Sequence, residues 1–166
     1  MIMALTGLHI SWTRGSYLAD RNWSIKVEEN RPLANGNLSG LRPHYDGGTS
    51  LAIGYGFDLL VNSYADINSS LTAANGQTTT LSAADITLLD QARARRTAGT
   101  ATQSYLDGVA RQLSISLVSE PAATTLLELK LSKYETALDN ALGGHYQLAD
   151  SKERIAVLSL IYSITG

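Results

Sequence analysis

The sequence predicts an α+β fold, in which a small β-hairpin region at about residues 36–60 precedes a mainly helical region at about residues 82–166. Two observations predict this division. Residues 30–58 contain most of the turn-forming residues, whereas residues 82–164 are rich in alanine and leucine. A chain of 166 residues, 44% of them hydrophobic, is long enough to bury one core. We therefore expect a single domain over residues 1–166.

The first predicted helix covers Ser16–Glu29. Leu18, Ile25 and Val27 give it an imperfect apolar stripe, and Pro32 follows where a helix would have to stop. The helix therefore ends in two adjacent acidic residues, Glu28 and Glu29.

The hairpin region is predicted from turns and from one short strand. Asn-Gly, Ser-Gly and Gly-Gly pairs occur between Asn35 and Asp58, and the run Leu51–Asp58 alternates in side-chain size, which predicts a strand. The segment Leu71–Thr80 has almost no large apolar side chain, so we expect a surface loop there.

Four helices are predicted after this loop. Ser82 and Asp85 have the spacing of a capping box that starts a helix to about Arg95, and another helix covers about Thr102–Leu113. The longest covers Ser119–Ala141. The last opens at Asp150 and is apolar on nearly every side, so we expect it in the centre of the helical lobe.

Composition argues against several classes of function. The net charge of -2 gives no electrostatic reason to expect nucleic acid or an anionic membrane as a partner. No cysteine is present, no apolar stretch approaches the ~18 residues of a membrane span, and no signal peptide is visible. Signatures of serine hydrolases, nucleotide hydrolases and dinucleotide enzymes are missing from the sequence.

A metal site is not predicted either, and we expect no cofactor. The three histidines, His9, His44 and His145, lie far apart and lack metal-ligand spacing. Among them His44 alone lies next to the hairpin.

The acidic residues instead offer the chemistry of glycosidic cleavage. That reaction needs one carboxylic acid to protonate the leaving oxygen and a second group to guide water or act as the nucleophile. Glu28 and Glu29 end the first helix, while Asp46 and Asp58 bracket the hairpin. The residue pattern alone leaves open whether these acids converge on one groove or are solvated separately.

The run Leu51–Leu59, which reads LAIGYGFDL, resembles the Thr-Ile-Gly-Tyr-Gly-(Tyr/Phe)-Asp-Leu signature of the phage-type lysozyme superfamily. It is most similar to the pesticin-like bacteriolytic branch. Leu117–Leu127 and Arg154–Gly166 resemble the helix after the family hairpin and its central buried helix. The resemblance implies a lysozyme-like fold and a cofactor-free muramidase that cleaves the bond between N-acetylmuramic acid and N-acetylglucosamine in peptidoglycan glycan strands.

The resemblance also implies roles for three acids. Glu29 matches the general acid, with Glu28 as the fallback, because an acid at a helix end beside an apolar wall can keep its proton near neutrality. Asp58 matches the ionised carboxylate of the pesticin-like branch. Asp46 matches the carboxylate of the endolysin branch, and we rank Asp58 slightly above it.

Four further residues are predicted to bind or position the substrate. Ala52 stands where the family has threonine, and its methyl group cannot hydrogen bond to water. Ser50 is on the same strand face but roughly 7 Å away, so replacing that hydroxyl would require a register shift. Gly54 would let the backbone approach the sugar, and Tyr55 would offer a ring face, although a turn glycine and a core aromatic fit the pattern as well.

Two functions follow from this pattern. The first is an active muramidase at the bacterial cell wall or in the periplasm, exported by a holin or a secretion system. The second is a catalytically impaired module that binds peptidoglycan or a protein, such as an inhibitor, an immunity protein or the rest of a larger polypeptide. The basic cluster of Arg93, Arg95 and Arg96 is predicted to be a solvated helix end. The alternative is that it contacts the anionic bacterial cell wall.

Overall fold

The described residues of the computed structural model are 13–28, 38–142 and 148–165. They form six α-helices, three β-strands and a 3₁₀ helix at Leu38–Leu41, which confirms the α+β class. The elements are α1 (Arg14–Glu28), β1 (His44–Tyr45), β2 (Leu51–Ile53), β3 (Phe57–Asp58), α2 (Tyr64–Asn75), α3 (Ala83–Thr97), α4 (Gln103–Gln112), α5 (Glu120–Ala141) and α6 (Lys152–Thr165). In this part of the chain no helix combines the length and the apolar character that crossing a membrane requires.

The described residues divide into two compact units. The first contains residues 13–28, 128–142 and 148–165, and the second contains residues 38–127. The first unit is entirely helical. The second unit carries the sheet and the hairpin motif.

The sheet has three antiparallel strands in the order β1-β2-β3. His44 lies opposite Ala52, and Ala52 lies opposite Asp58. The prediction of one strand over Leu51–Asp58 was wrong, because the run folds back on itself as β2 and β3. Gly54 and Gly56 make this possible with φ values of 67° and 78°, which side chains other than glycine rarely adopt.

Helix α2 contradicts the predicted surface loop at Leu71–Thr80, because the helix extends to Asn75 and the turn begins at Gly76. Ser63 caps the start of the helix, because its hydroxyl accepts a hydrogen bond from the backbone N–H of Asp66. Its inward face carries Ile67, Ser70, Leu71 and Ala74, all buried at helical spacing. Half of this stripe is small or polar, which hid it from an argument based on large apolar side chains.

The predicted helix starts agree closely with the structure where local capping decides them. Helix α3 has the reciprocal capping box of Ser82 and Asp85, and Thr102 caps α4. Helix α6 begins one residue later than predicted: Ser151, rather than Asp150, accepts the hydrogen bond from the backbone N–H of Arg154.

The core of the first unit consists of Tyr17, Leu138, Ile155 and Leu158, which α1, α5 and α6 contribute. The sequence predicted that helix α6 would be enclosed in the centre of the helical lobe, and this prediction was wrong. Ala156 is exposed and Leu160 is 61% exposed, so one side of the helix faces solvent among the described residues.

A buried carboxylate joins α1 to α5 in the same unit. Glu135 accepts hydrogen bonds of 2.8 Å from Tyr17 Oη, Arg21 Nη1 and Arg14 Nη2. Burial alone would raise the pKa of Glu135, but the hydrogen bonds from Arg14, Tyr17 and Arg21 outweigh it and hold the pKa below its ordinary value. Glu135 therefore remains charged beside two arginines.

Asp85 is a buried, hydrogen-bonded carboxylate of the second unit, as Glu135 is of the first. Its carboxylate accepts hydrogen bonds from the backbone and the hydroxyl of both Ser82 and Ser114. Burial opposes ionisation of Asp85, yet these donors lower its pKa from the ordinary value. The side chain thus fixes the start of α3 against the segment that follows α4.

Candidate functional site

The structure describes the hairpin half of the predicted site. Glu29 lies outside the described residues, and Glu28 is the last residue of α1. Ser50, Ala52 and Asp58 come together on the sheet, whereas Asp46 lies in the turn between β1 and β2. Tyr55 lies in the turn between β2 and β3.

Asp58 is completely buried, and both of its carboxylate oxygens accept hydrogen bonds. Oδ1 accepts from the backbone N–H of Leu60 at 2.6 Å and of Val61 at 3.2 Å. Oδ2 accepts from Ser50 Oγ at 2.7 Å and from Arg96 Nη1 at 3.3 Å. These four donors fix the turn after β3, which is the structural role open to an aspartate at a strand end.

Ser50 reaches Asp58 within the observed register. Ala52 is the residue directly opposite Asp58, and Ser50 makes a diagonal contact from two positions earlier. That Ser50 would need a register shift to replace a hydroxyl at position 52 stays a prediction. Its hydroxyl already donates to the carboxylate of Asp58.

Ala52 is fully buried at the centre of the sheet face that also carries His44 and Asp58. The Nδ1–H group of His44 donates to the carbonyl oxygen of Arg42 at 3.0 Å. In the neutral ring Nε2 is then an acceptor, and it is buried with no hydrogen-bond partner among the described residues. A hydroxyl at position 52 would face two acceptors, one on each neighbouring strand.

Asp46 differs from Asp58 in being exposed. It precedes Gly47 and Gly48, whose φ values of 89° and 53° turn the chain from β1 into β2. The turn is closed by a hydrogen bond of 3.0 Å from the backbone N–H of Ser50 to the carbonyl oxygen of Gly47. Asp46 therefore presents its carboxylate at the solvent edge of the hairpin.

Gly54 packs against side chains of the protein itself. A Cβ at this position would lie 3.1 Å from Leu117 Cδ1 and 3.6 Å from the Cβ of Ala123. Its backbone N–H donates to the carbonyl oxygen of Gly40 at 2.7 Å. The glycine is required here by its positive φ and by the close approach of α5.

Tyr55 is buried, and its hydroxyl donates to Glu120 Oε1 at 2.7 Å. Thr124 donates to the same oxygen at 2.9 Å, one turn further along α5. Burial and the hydrogen bond to Glu120 raise the pKa of the Tyr55 phenol. The ring thus ties the tip of the hairpin to the first turn of α5.

The sequence predicted a solvated helix end for the three arginines of α3, but only Arg95 is exposed, and Arg93 and Arg96 are half-buried. Arg93 donates to the carbonyl oxygens of Leu59 and Asn62, and Arg96 donates to Asp58. The guanidinium of Arg95 lies 4.2 Å from the ring centroid of Tyr105. The cluster therefore fastens α3 to the chain that leaves β3 and to α4.

Two of these partners, Arg96 and Glu120, could not be recognised as such from the sequence. Arg96 was visible as part of a basic cluster, but its pairing with Asp58 joins residues far apart in the chain. Glu120 was visible as an acid in a first helical turn, where a helix dipole alone would explain it. Within the described ranges, no three histidine or acidic side chains gather in a way that could hold a metal ion.

Comparisons of the chain with models of protein families, with curated proteins and with solved structures found no match. The motif resemblance and the contacts of the hairpin are therefore the grounds on which a function is proposed.

Proposed function

We propose that the chain is a lysozyme-like muramidase that hydrolyses the β-1,4 bond between N-acetylmuramic acid and N-acetylglucosamine. Glu29 acts as the general acid, and an aspartate of the hairpin guides the attacking water. The observation that carries the proposal is that the signature run folds into the antiparallel strands β2 and β3. Asp58 lies at the buried end of this run, and Asp46 lies in the exposed turn that precedes it.

We propose different roles for the two aspartates, in the reverse of the order that the sequence favours. A carboxylate that guides water must be accessible to that water. Asp46 is exposed, while Asp58 is buried and both of its oxygens are engaged by four donors. We assign water guidance to Asp46, and we make Asp58 the positioning residue that fixes the hairpin.

A muropeptide-release assay on purified peptidoglycan tests this assignment. We expect Glu29→Gln and Asp46→Asn each to lower the rate by about 10²-fold or more, because each removes a group that acts on the reacting atoms. Glu28→Gln is the matched control, since it changes the neighbouring acid of the same pair and should keep most of the rate.

Circular dichroism spectra would verify that all variants are folded. If the rate is kept in Glu29→Gln but falls in Glu28→Gln, the general acid would be Glu28. A folded parent chain that releases no muropeptide would refute the hydrolase proposal.

One observation favours the second function, a module that binds glycan without cleaving it. All residues from Leu51 to Leu60 are buried, so the signature run offers few side chains to a substrate. Ala52, at the position of the family hydroxyl, is among them. A buried signature run stabilises the hairpin in an active enzyme and in an inactive binding module alike.

Ala52→Thr separates the two functions. The added hydroxyl has acceptors at His44 Nε2 and Asp58, but a larger side chain at a fully buried position should cost about 1–3 kcal/mol of stability. We expect the variant to fold with a lower urea midpoint and to gain muropeptide release if the missing hydroxyl limits the rate. If both proteins sediment with peptidoglycan and neither releases muropeptides, the binding module would be favoured.

A further inference from the structure

A groove on the first unit, between α1 and α6, combines one aromatic platform with several polar groups. Its volume is about 550 Å³, which falls within the ~300–1,000 Å³ range of small-molecule sites. Trp23 and Ile155 contribute the apolar part of the lining, and Asp20, Ser24, Lys152 and Ser159 contribute the polar part.

Helical spacing brings these side chains to one surface. On α1 the core-facing residues are Tyr17, Arg21 and Ile25, all buried, so Trp23 falls on the other side of the helix. It is 66% exposed, which is uncommon for the largest apolar side chain. Nothing in the packing of the described residues of the first unit accounts for a tryptophan at this position.

We propose that this groove binds a pyranose ring of an oligosaccharide. A pyranose has an apolar face of C–H groups and a rim of hydroxyls, so it needs an aromatic surface with donors and acceptors around it. Trp23 supplies the surface. The carboxylate of Asp20 accepts from sugar hydroxyls, the ammonium group of Lys152 donates, and the serine hydroxyls do either.

The mixture of groups favours a saccharide over a docked amphipathic helix. A helix in a groove is recognised through several apolar anchors spaced along one stripe. Here polar side chains alternate with the apolar ones on both walls, and they lie beside a single large aromatic residue. The site is separate from the hairpin acids and does not depend on the proposed hydrolase activity.

The indole N–H signal of Trp23 in a ¹⁵N-labelled full chain provides a local readout. The chain has two tryptophans, so the loss of one indole signal in Trp23→Phe identifies the signal of Trp23. We expect chitotetraose to shift that signal in a saturable way. Cellotetraose, which lacks acetamido groups, is the second probe, and it distinguishes recognition of the ring from recognition of the N-acetyl group.

We expect Asp20→Asn to weaken chitotetraose binding about 10-fold at the Trp23 signal, because a charged hydrogen-bond acceptor becomes neutral. Calorimetry should find at least a 10-fold loss in Trp23→Ala and no change in Val118→Ala, which shortens a side chain of similar exposure, 55%, in the second unit. A Trp23 signal that neither saccharide shifts would overturn the proposal. So would a signal that depends on protein concentration alone, which would mark a self-association surface.

Glu29→Gln keeps this outcome separate from that of the proposed hydrolase. The variant prevents turnover, and the Trp23 signal should respond to saccharide in it as in the parent chain. In the parent chain, a Trp23 response without muropeptide release would support the groove and refute the hydrolase, while release without a response would do the reverse.

Discussion

Glu135→Ala should lower the free energy of unfolding by about 3–5 kcal/mol, since breaking a buried ion pair leaves the remaining charge without compensation. The Arg21 side chain is 4% exposed and its Nη1 lies 2.8 Å from Glu135 Oε1. Arg14 contributes less, because its side chain is 53% exposed and water screens it. Urea unfolding followed by circular dichroism measures the difference.

Glu128→Ala provides the matched control on the same helix. Glu128 is exposed and accepts one hydrogen bond, of 2.7 Å, from the neutral amide of Asn22. We expect its loss to cost less than about 1 kcal/mol. Equal losses in the free energy of unfolding for the two variants would mean that the buried network of Glu135 contributes no more stability than a surface contact.

The same network predicts a dependence on pH. Because the folded-state pKa of Glu135 lies below its unfolded value, its contribution is present above the unfolded pKa and is lost as the pH falls through the folded one. The stability gap between the parent chain and Glu135→Gln should therefore narrow as the pH decreases from about 6 to about 3. A gap that stays constant over this range would contradict a charged Glu135 in the folded protein.

The fold could be predicted from the sequence where local signals decide it. The capping box of Ser82 and Asp85 and the cap at Thr102 are local, and the helices that they start were found. Helix α2 was missed because Ser70 and Ala74 are core residues that an apolar stripe does not include. The turn at Gly54 and Gly56 was hidden by side chains that alternate in size through it.

The site was less predictable, because its decisive contacts join distant parts of the chain. Asp58 was identified by its place in the motif, but its burial depends on Arg96 in α3 and on the register of β2. Glu135 was not singled out. A signal for it exists: it is a charged residue four positions after Leu131, within the stripe that packs inward.

Asp58→Ala should lower the free energy of unfolding by about 2–4 kcal/mol, because the substitution leaves the backbone N–H of buried Leu60 without its acceptor and Arg96 without its counter-charge. The Arg96 side chain is 34% exposed, so water recovers part of that loss. Asp90→Ala is the control: Asp90 is exposed in the same unit and accepts from the Tyr64 hydroxyl, so less than about 1 kcal/mol is expected.

Asp58→Asn then distinguishes a positioning residue from a catalytic one. The amide keeps a carbonyl oxygen for the N–H groups of Leu60 and Val61, but its NH₂ group cannot accept from Arg96. If Asp58 fixes the hairpin and Asp46 guides water, the variant loses stability while its folded fraction keeps a rate within about 10-fold of the parent, unlike Asp46→Asn, for which about 10²-fold is expected. A fully folded Asp58→Asn protein without activity, beside an active Asp46→Asn protein, would instead make the buried carboxylate the catalytic one. The turn around Arg96 would then have to open for water to enter.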